Sequence, residues 1–124
     1  MGQPVVHFEI LGEDADKLHR FYSDLFGWKI QSMPMDGGIY GMVSREDNLN
    51  REGVGIGGGI GSAPAPGHVT FYVEVPDVEE SLSRAERMGG RRVMGPMTVP
   101  EDTVIGLFQD PEDHLVGLVQ SARH

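Results

Sequence analysis

The chain has 124 residues and a formal net charge of −9, a length that suits one compact domain or two small modules sharing a core. It has no cysteine, which excludes disulfides, thiolate nucleophiles and thiolate metal sites. The acidic balance argues against nucleic acid and anionic membranes, which are held through Lys and Arg contacts; it would favour a cationic ligand, although ordinary surface charge is the plainer reading.

From the N-terminus, Met1 to Val6 carries neither the basic region nor the apolar run of a signal peptide. No stretch approaches the roughly 18 apolar residues of a membrane span, so a soluble, cytoplasmic protein is expected. The period of two in Val5 to Leu11 predicts a first strand, with Val6, Phe8 and Ile10 on one face and His7 and Glu9 on the other. Asp14 is the expected N-cap of a helix whose Leu18, Phe21, Tyr22 and Leu25 form an apolar stripe, ended by Gly27. On this spacing His19 falls on the polar, solvated side. Trp28 to Ile30 starts a second strand and Ile39 to Val43 makes a third, with Met33 to Gly38 as the turn between them. Glu46 to Glu52 reads as a loop, and Val54 to Ile60 as a Gly-rich strand. That strand has no P-loop or dinucleotide-binding spacing, so its glycines predict close approach of a ligand or another backbone.

Residues 62–67 (Ser-Ala-Pro-Ala-Pro-Gly) form a stiffened linker. His68 to Val75 alternates again, with Val69, Phe71, Val73 and Val75 opposite His68, Thr70, Tyr72 and Glu74. Asp77 caps a second helix, with Glu80 as its capping-box partner and Val78, Leu82, Ala85 and Met88 as its apolar face. Strands are expected over Arg91 to Met94, Thr103 to Gln109 and His114 to Gln120, with a loop from Gly95 to Asp102 and a tight turn at Asp110 to Asp113. A shift of 63 residues lays Val6 on Val69, Phe8 on Phe71, Asp14 on Asp77 and Gly27 on Gly90. The chain is therefore read as two copies of a strand-helix-strand-strand-strand unit, module one about 4–61 and module two about 68–121, in a single domain over 1–124.

The motifs Val6-His7-Phe8, Phe21-Tyr22-Ser23-Asp24-Leu25-Phe26-Gly27-Trp28, Asp77-Val78 running into Met88-Gly89-Gly90, and the closing Phe108 to Gln120 stretch together resemble the vicinal oxygen chelate superfamily. That superfamily holds glyoxalases, bleomycin-resistance proteins, fosfomycin-resistance enzymes and extradiol dioxygenases. The resemblance implies an α+β fold of two tandem βαβββ modules in a cup-shaped mixed sheet with helices outside. Val6, Phe8, Ile10, Val69, Phe71 and Val73 would then pack beneath the helices. His7, Glu9, His68, Thr70, Tyr72 and Glu74 would face a concave ligand cleft.

Enzymes of the family hold one divalent metal through His and Glu on inward strand positions, leaving room for two substrate oxygens. Carried over residue by residue, the first ligand matches His7, the second falls on Thr70, the last-strand Glu falls on Gly117, and the remaining position lands near Val54. One expected ligand is present, so no metal cofactor is expected. The resemblance then implies a protein binding a small organic molecule, a metabolite or drug, among His7, Glu9, Val54, His68, Thr70, Tyr72, Glu74 and Gly117, and forming a homodimer. The alternative is a metal-dependent lyase, isomerase or dioxygenase using a rebuilt His7, His68 and Glu9 site, the latter residues displaced about 6.5 Å along their strands from the usual positions. Glu9 and Glu74 could also form an acid/base pair if burial raised one of them. Trp28 and Met33, Met35, Met42, Met94 and Met97 could line the pocket mouth, although such residues more often fill cores.

Overall fold

The computed structural model describes residues 2–35, 38–63 and 67–120. The chain divides into two compact units: residues 6–69, and residues 70–124 together with 1–5. In the N-terminal unit, β1 (Val5–Gly12) leads to α1 (Ala15–Phe26), β2 (Ile30–Met35), β3 (Gly38–Val43) and β4 (Gly57–Ser62). The strand order is β2-β3-β4-β1, antiparallel except for the parallel β1/β4 pair. The C-terminal unit repeats this with β5 (His68–Glu74), α2 (Val78–Arg87), β6 (Arg91–Val99), β7 (Thr103–Gln109) and β8 (Leu115–Gln120), in the order β5-β8-β7-β6. Here β5/β8 is the parallel pair. The α+β class and the βαβββ repeat are as expected from the sequence.

The helix signals act as expected. The Asp14 carboxylate accepts from the Lys17 amide at 3.1 Å, and Gly27 ends α1 in the left-handed region at φ 72°. Asp77 accepts from the Glu80 amide at 3.1 Å. Each cap satisfies a backbone N–H that has no partner inside its helix.

Three strands, β2, β4 and β6, differ from expectation by more than a residue at an end. β2 runs through Met33-Pro34-Met35, because it is the outer strand of its unit, where a proline costs no ladder bond. β6 continues past Gly95-Pro96 to Val99, its pairing with β7 slipping between Arg92 and Met94 and again between Met94 and Met97. Such bulges absorb a glycine and a proline that would otherwise end a strand. β4 begins at Gly57, not Val54, and extends to Ser62. Of the expected linker, Ser62 closes β4, while Pro64 to Pro66 lie outside the described residues.

The helix faces also differ. The buried residues of α1 are Ala15 and His19, whereas Phe21 and Leu25 of the expected stripe are 57 % and 58 % exposed. Instead of lining a pocket mouth, Trp28 stacks on Tyr22 (ring centroids 5.6 Å apart) and lies 5.1 Å from both Phe8 and Phe26. In the C-terminal unit, Val78 and Leu82 of α2 are fully buried with Val75 and Leu118, flanked by Val73, Val104 and Phe108. Met88, expected on the same face, is exposed. Arg92 of β6 ties down the other side of α2, its guanidinium donating to both Glu79 oxygens at 2.9 and 2.8 Å and to Glu86 at 3.3 Å. These bonds hold the Glu79 carboxyl down at about 2.

Leu82→Ala should leave a cavity that the surrounding strands close only in part, costing about 2–5 kcal/mol, measurable as a lowered midpoint of urea unfolding.

Candidate functional site

Alternation along β1 turns His7 and Glu9 to one face, away from Phe8 and its aromatic partners. β3 brings Tyr40 to the same place, and His68 arrives at the start of β5. The Tyr40 hydroxyl donates to Glu9 Oε2 at 3.0 Å. Having spent its proton there, it accepts from His7 Nε2–H, also at 3.0 Å. His68 Nε2–H donates to Glu9 Oε1 at 3.3 Å. His7, Tyr40, Glu9 and His68 therefore form one hydrogen-bonded chain whose protons all run towards the Glu9 carboxylate. Glu9 is 9 % exposed, the only acidic residue counted among the buried polar groups of the described chain. Burial lowers the pKa of His7, opposed in part by the nearby Glu9 charge, so its ring is neutral at pH 7.

The Gly-rich strand makes this arrangement possible. A Cβ on Gly59 would collide with the Tyr40 hydroxyl, and one on Gly61 would lie 2.6 Å from the Tyr40 ring. Gly58 gives way in the same manner to Phe8. The glycines of β4 are seats for aromatic rings; the expected close approach is made by the protein's own side chains. Tyr40 was not among the residues singled out from the sequence. Its position opposite a run of glycines was the available signal.

The remaining expected residues go elsewhere. Val54 stands in the loop before β4 and is 65 % exposed. Thr70 is buried with its hydroxyl donating to the Leu115 carbonyl at 2.5 Å. Tyr72 is 6 % exposed, and its ring fills the space beside Gly117, where a Cβ would come within 2.5 Å of it. Glu74 is half-buried at the end of β5, its amide bonded to the Pro4 carbonyl at 2.9 Å. The expected burial of the two β5 faces is partly reversed: Val69 and Phe71 are 72 % and 42 % exposed while Thr70 and Tyr72 are buried. In its own unit α2 packs on β6, β7 and β8.

His19, expected in solvent, is 8 % exposed and donates Nε2–H to the Ile60 carbonyl at 2.7 Å. His114 is exposed and bonded to Asp110, and His124 lies outside the described residues.

A divalent metal does not fit these residues. Among those described, no group of three or more His, Asp or Glu side chains is placed to hold one. The Nε2 atoms of His7 and His68 are directed at Tyr40 and Glu9 rather than at a shared point. A separate cavity of about 540 Å³ lies along α2, between Ser81, Arg84 and Ala85 on the helix and Val73, Phe108 and Leu118 on the strands. None of the expected site residues lines it, and the titratable chain of β1 and β3 is the stronger candidate for chemistry.

A model of the Glyoxalase/Bleomycin resistance protein/Dioxygenase superfamily matches residues 5–118. The chain belongs to that superfamily. A curated relative from Didymella fabae, a glyoxylase-like domain-containing protein, is 28% identical over 102 residues, covering 74% of this chain and 77% of the relative. Among solved structures, the chain is similar to a Streptomyces coelicolor methylmalonyl-CoA epimerase in complex with 2-nitronate-propionyl-CoA. The TM-score is 0.67 and the identity 18%, over 97% of this chain and 98% of that one. The methylmalonyl-CoA epimerase of Mycobacterium tuberculosis gives a TM-score of 0.66 at 16% identity, over 95% and 87% of the two chains. A hypothetical protein from Bacillus halodurans C-125 gives 0.70 at 10% identity, over 100% and 98%. At these identities the glyoxalase-type fold is shared, while the chemistry has to be argued from the site.

Two outcomes follow. Because the folded-state pKa of His7 is lowered, the unfolded chain takes up its proton first, and stability is lost as pH falls below about 6.5. Melting temperatures between pH 7.5 and 5.5 should therefore fall more for the parent chain than for His7→Gln. Gly59→Ala should displace the Tyr40 hydroxyl from Glu9, seen as a changed Tyr40 ring resonance in a chain that keeps its circular dichroism.

Proposed function

We propose that this protein binds a small organic molecule at the face formed by His7, Tyr40, Glu9 and His68, without using a metal. The observation that carries the reading is the hydrogen-bonded chain itself: polar, half-buried and joined by Tyr40 at the strand where the family places its first metal ligand. It supplies fixed hydrogen-bonding groups and a carboxylate to orient a ligand. The other ligand positions support the same reading. Thr70 is committed to a backbone carbonyl, and Tyr72 occupies the space at Gly117.

The reading takes the chain as one glyoxalase-like domain that acts as a homodimer in the cytoplasm. Exposed Phe21, Leu25, Val69 and Phe71 support the dimer. No helix is long and apolar enough to cross a membrane among the described residues. A second reading, a metal-dependent isomerase, lyase or dioxygenase, is favoured by His7 at the family's ligand position and by the fold shared with methylmalonyl-CoA epimerases.

Metal analysis of the purified protein, followed by titration with nickel, manganese, zinc and iron, separates the two. A metal at a hundred times its Kd adds about 2.7 kcal/mol to the native state and raises Tm by several degrees. The proposal expects no stoichiometric metal and no such rise. Stoichiometric uptake with a rise abolished by His7→Ala would overturn it. In a screen of amines, carboxylic acids and acyl-CoA thioesters read by tyrosine ring resonances, Tyr40→Phe should weaken any hit by about tenfold, the loss of one charge-linked hydrogen bond.

A further inference from the structure

His19 sits on α1, away from the chain just described, and the proposed ligand site makes no use of it. Its ring nevertheless touches three neighbouring strands along a single transverse row. Nε2–H donates to the Ile60 carbonyl of β4 at 2.7 Å. That bond leaves Nδ1 as the acceptor, facing the Ser32 hydroxyl of β2 at 3.4 Å. Between them lies Gly41 of β3, where any Cβ would come within 2.6 Å of the imidazole. Ser32 pairs with Gly41, and Gly41 with Ile60. The row continues to β1, where Ile10 pairs with Ile60.

The residues adjacent to this row carry the site. Tyr40 precedes Gly41, Gly59 precedes Ile60, and Glu9 precedes Ile10. Side chains alternate along a strand, so a contact that fixes the row from the helix side fixes the opposite-facing neighbours from behind. Tyr40 stands over Gly59 with no space to spare, so movement of β4 relative to β3 is transmitted directly to the Tyr40 hydroxyl.

We propose that His19 is a positioning residue for the Tyr40–Glu9 hydrogen bond, acting through the Ile60 carbonyl and the Gly41 seat. The role rests on Tyr40 belonging to the ligand site. The bond of 2.7 Å is buried and made by a side chain that could have been any apolar residue if packing alone were required. A donor at this position holds β4 to α1 at one carbonyl, and Gly41 is the vacancy on β3 that admits the ring.

The test uses the full chain with ¹³Cζ-labelled tyrosine, the Tyr40 signal being assigned with Tyr40→Phe. His19→Leu keeps the bulk and removes the donor. It should move the Tyr40 resonance and speed exchange of the Tyr40 hydroxyl proton about tenfold, one hydrogen bond's worth. His19→Gln, which restores an N–H donor, should return both towards the parent values. Leu82→Ala lowers stability from the other unit and should leave the Tyr40 resonance in place. A folded His19→Leu with an unmoved Tyr40 signal overturns the proposal; so does a His19→Gln that behaves like His19→Leu, or a Leu82→Ala that moves the signal equally. If His19→Leu does not fold, ¹⁵N spectra of the parent decide, because the proposal requires the Nε2-protonated form of His19 and the Nδ1-protonated form overturns it. None of these measurements uses a ligand, so failure of the binding role and failure of this role are read separately.

Discussion

The Tyr40 ring occupies its place because two residues of the neighbouring strand, Gly59 and Gly61, have no Cβ. Interiors pack at crystal-like density, and a phenol laid against a strand must displace whatever that strand would otherwise present. Glycine presents nothing. Once the ring is seated, its hydroxyl reaches Glu9 on the next strand but one and receives the proton of His7, so the polar chain depends on this contact between a ring and bare backbone. The same device admits Phe8 over Gly58 and, on β3, His19 over Gly41.

The two units use a common plan for different ends. The N-terminal unit joins an imidazole, a phenol and a carboxylate in one hydrogen-bonded chain. In the C-terminal unit the corresponding groups are consumed by structure. The Thr70 hydroxyl satisfies a backbone carbonyl, and the Tyr72 ring fills the space beside Gly117. A polar side chain ties each helix to its sheet, though in opposite senses. His19 reaches from α1 to a β4 carbonyl, whereas Arg92 reaches from β6 to the Glu79 and Glu86 carboxylates of α2. The first clasp is buried and made to a carbonyl and a hydroxyl. The second is partly exposed and rests on charge, which salt would screen.

Membership of the glyoxalase superfamily says little about chemistry here, because the fold hosts many reactions. The side chains say more. Here a buried carboxylate accepts from a tyrosine and a histidine, with an imidazole whose charged form burial disfavours at the far end.

The sequence by itself determined the repeat, both helix caps, the βαβββ order and the placing of His7 and Glu9 on one face of β1, since all of these rest on local periodicity and cap chemistry that act within a few residues. It did not reveal Tyr40 as the link of the chain, His19 as a buried donor, or the exposure of Phe21, Leu25 and Phe71. Helical spacing records which residues share a face but not which face meets the sheet. That choice was decided in the tertiary structure, where a glycine at position 41 left room for an imidazole, and glycines at 59 and 61 left room for a phenol that no local pattern could have placed beside Glu9.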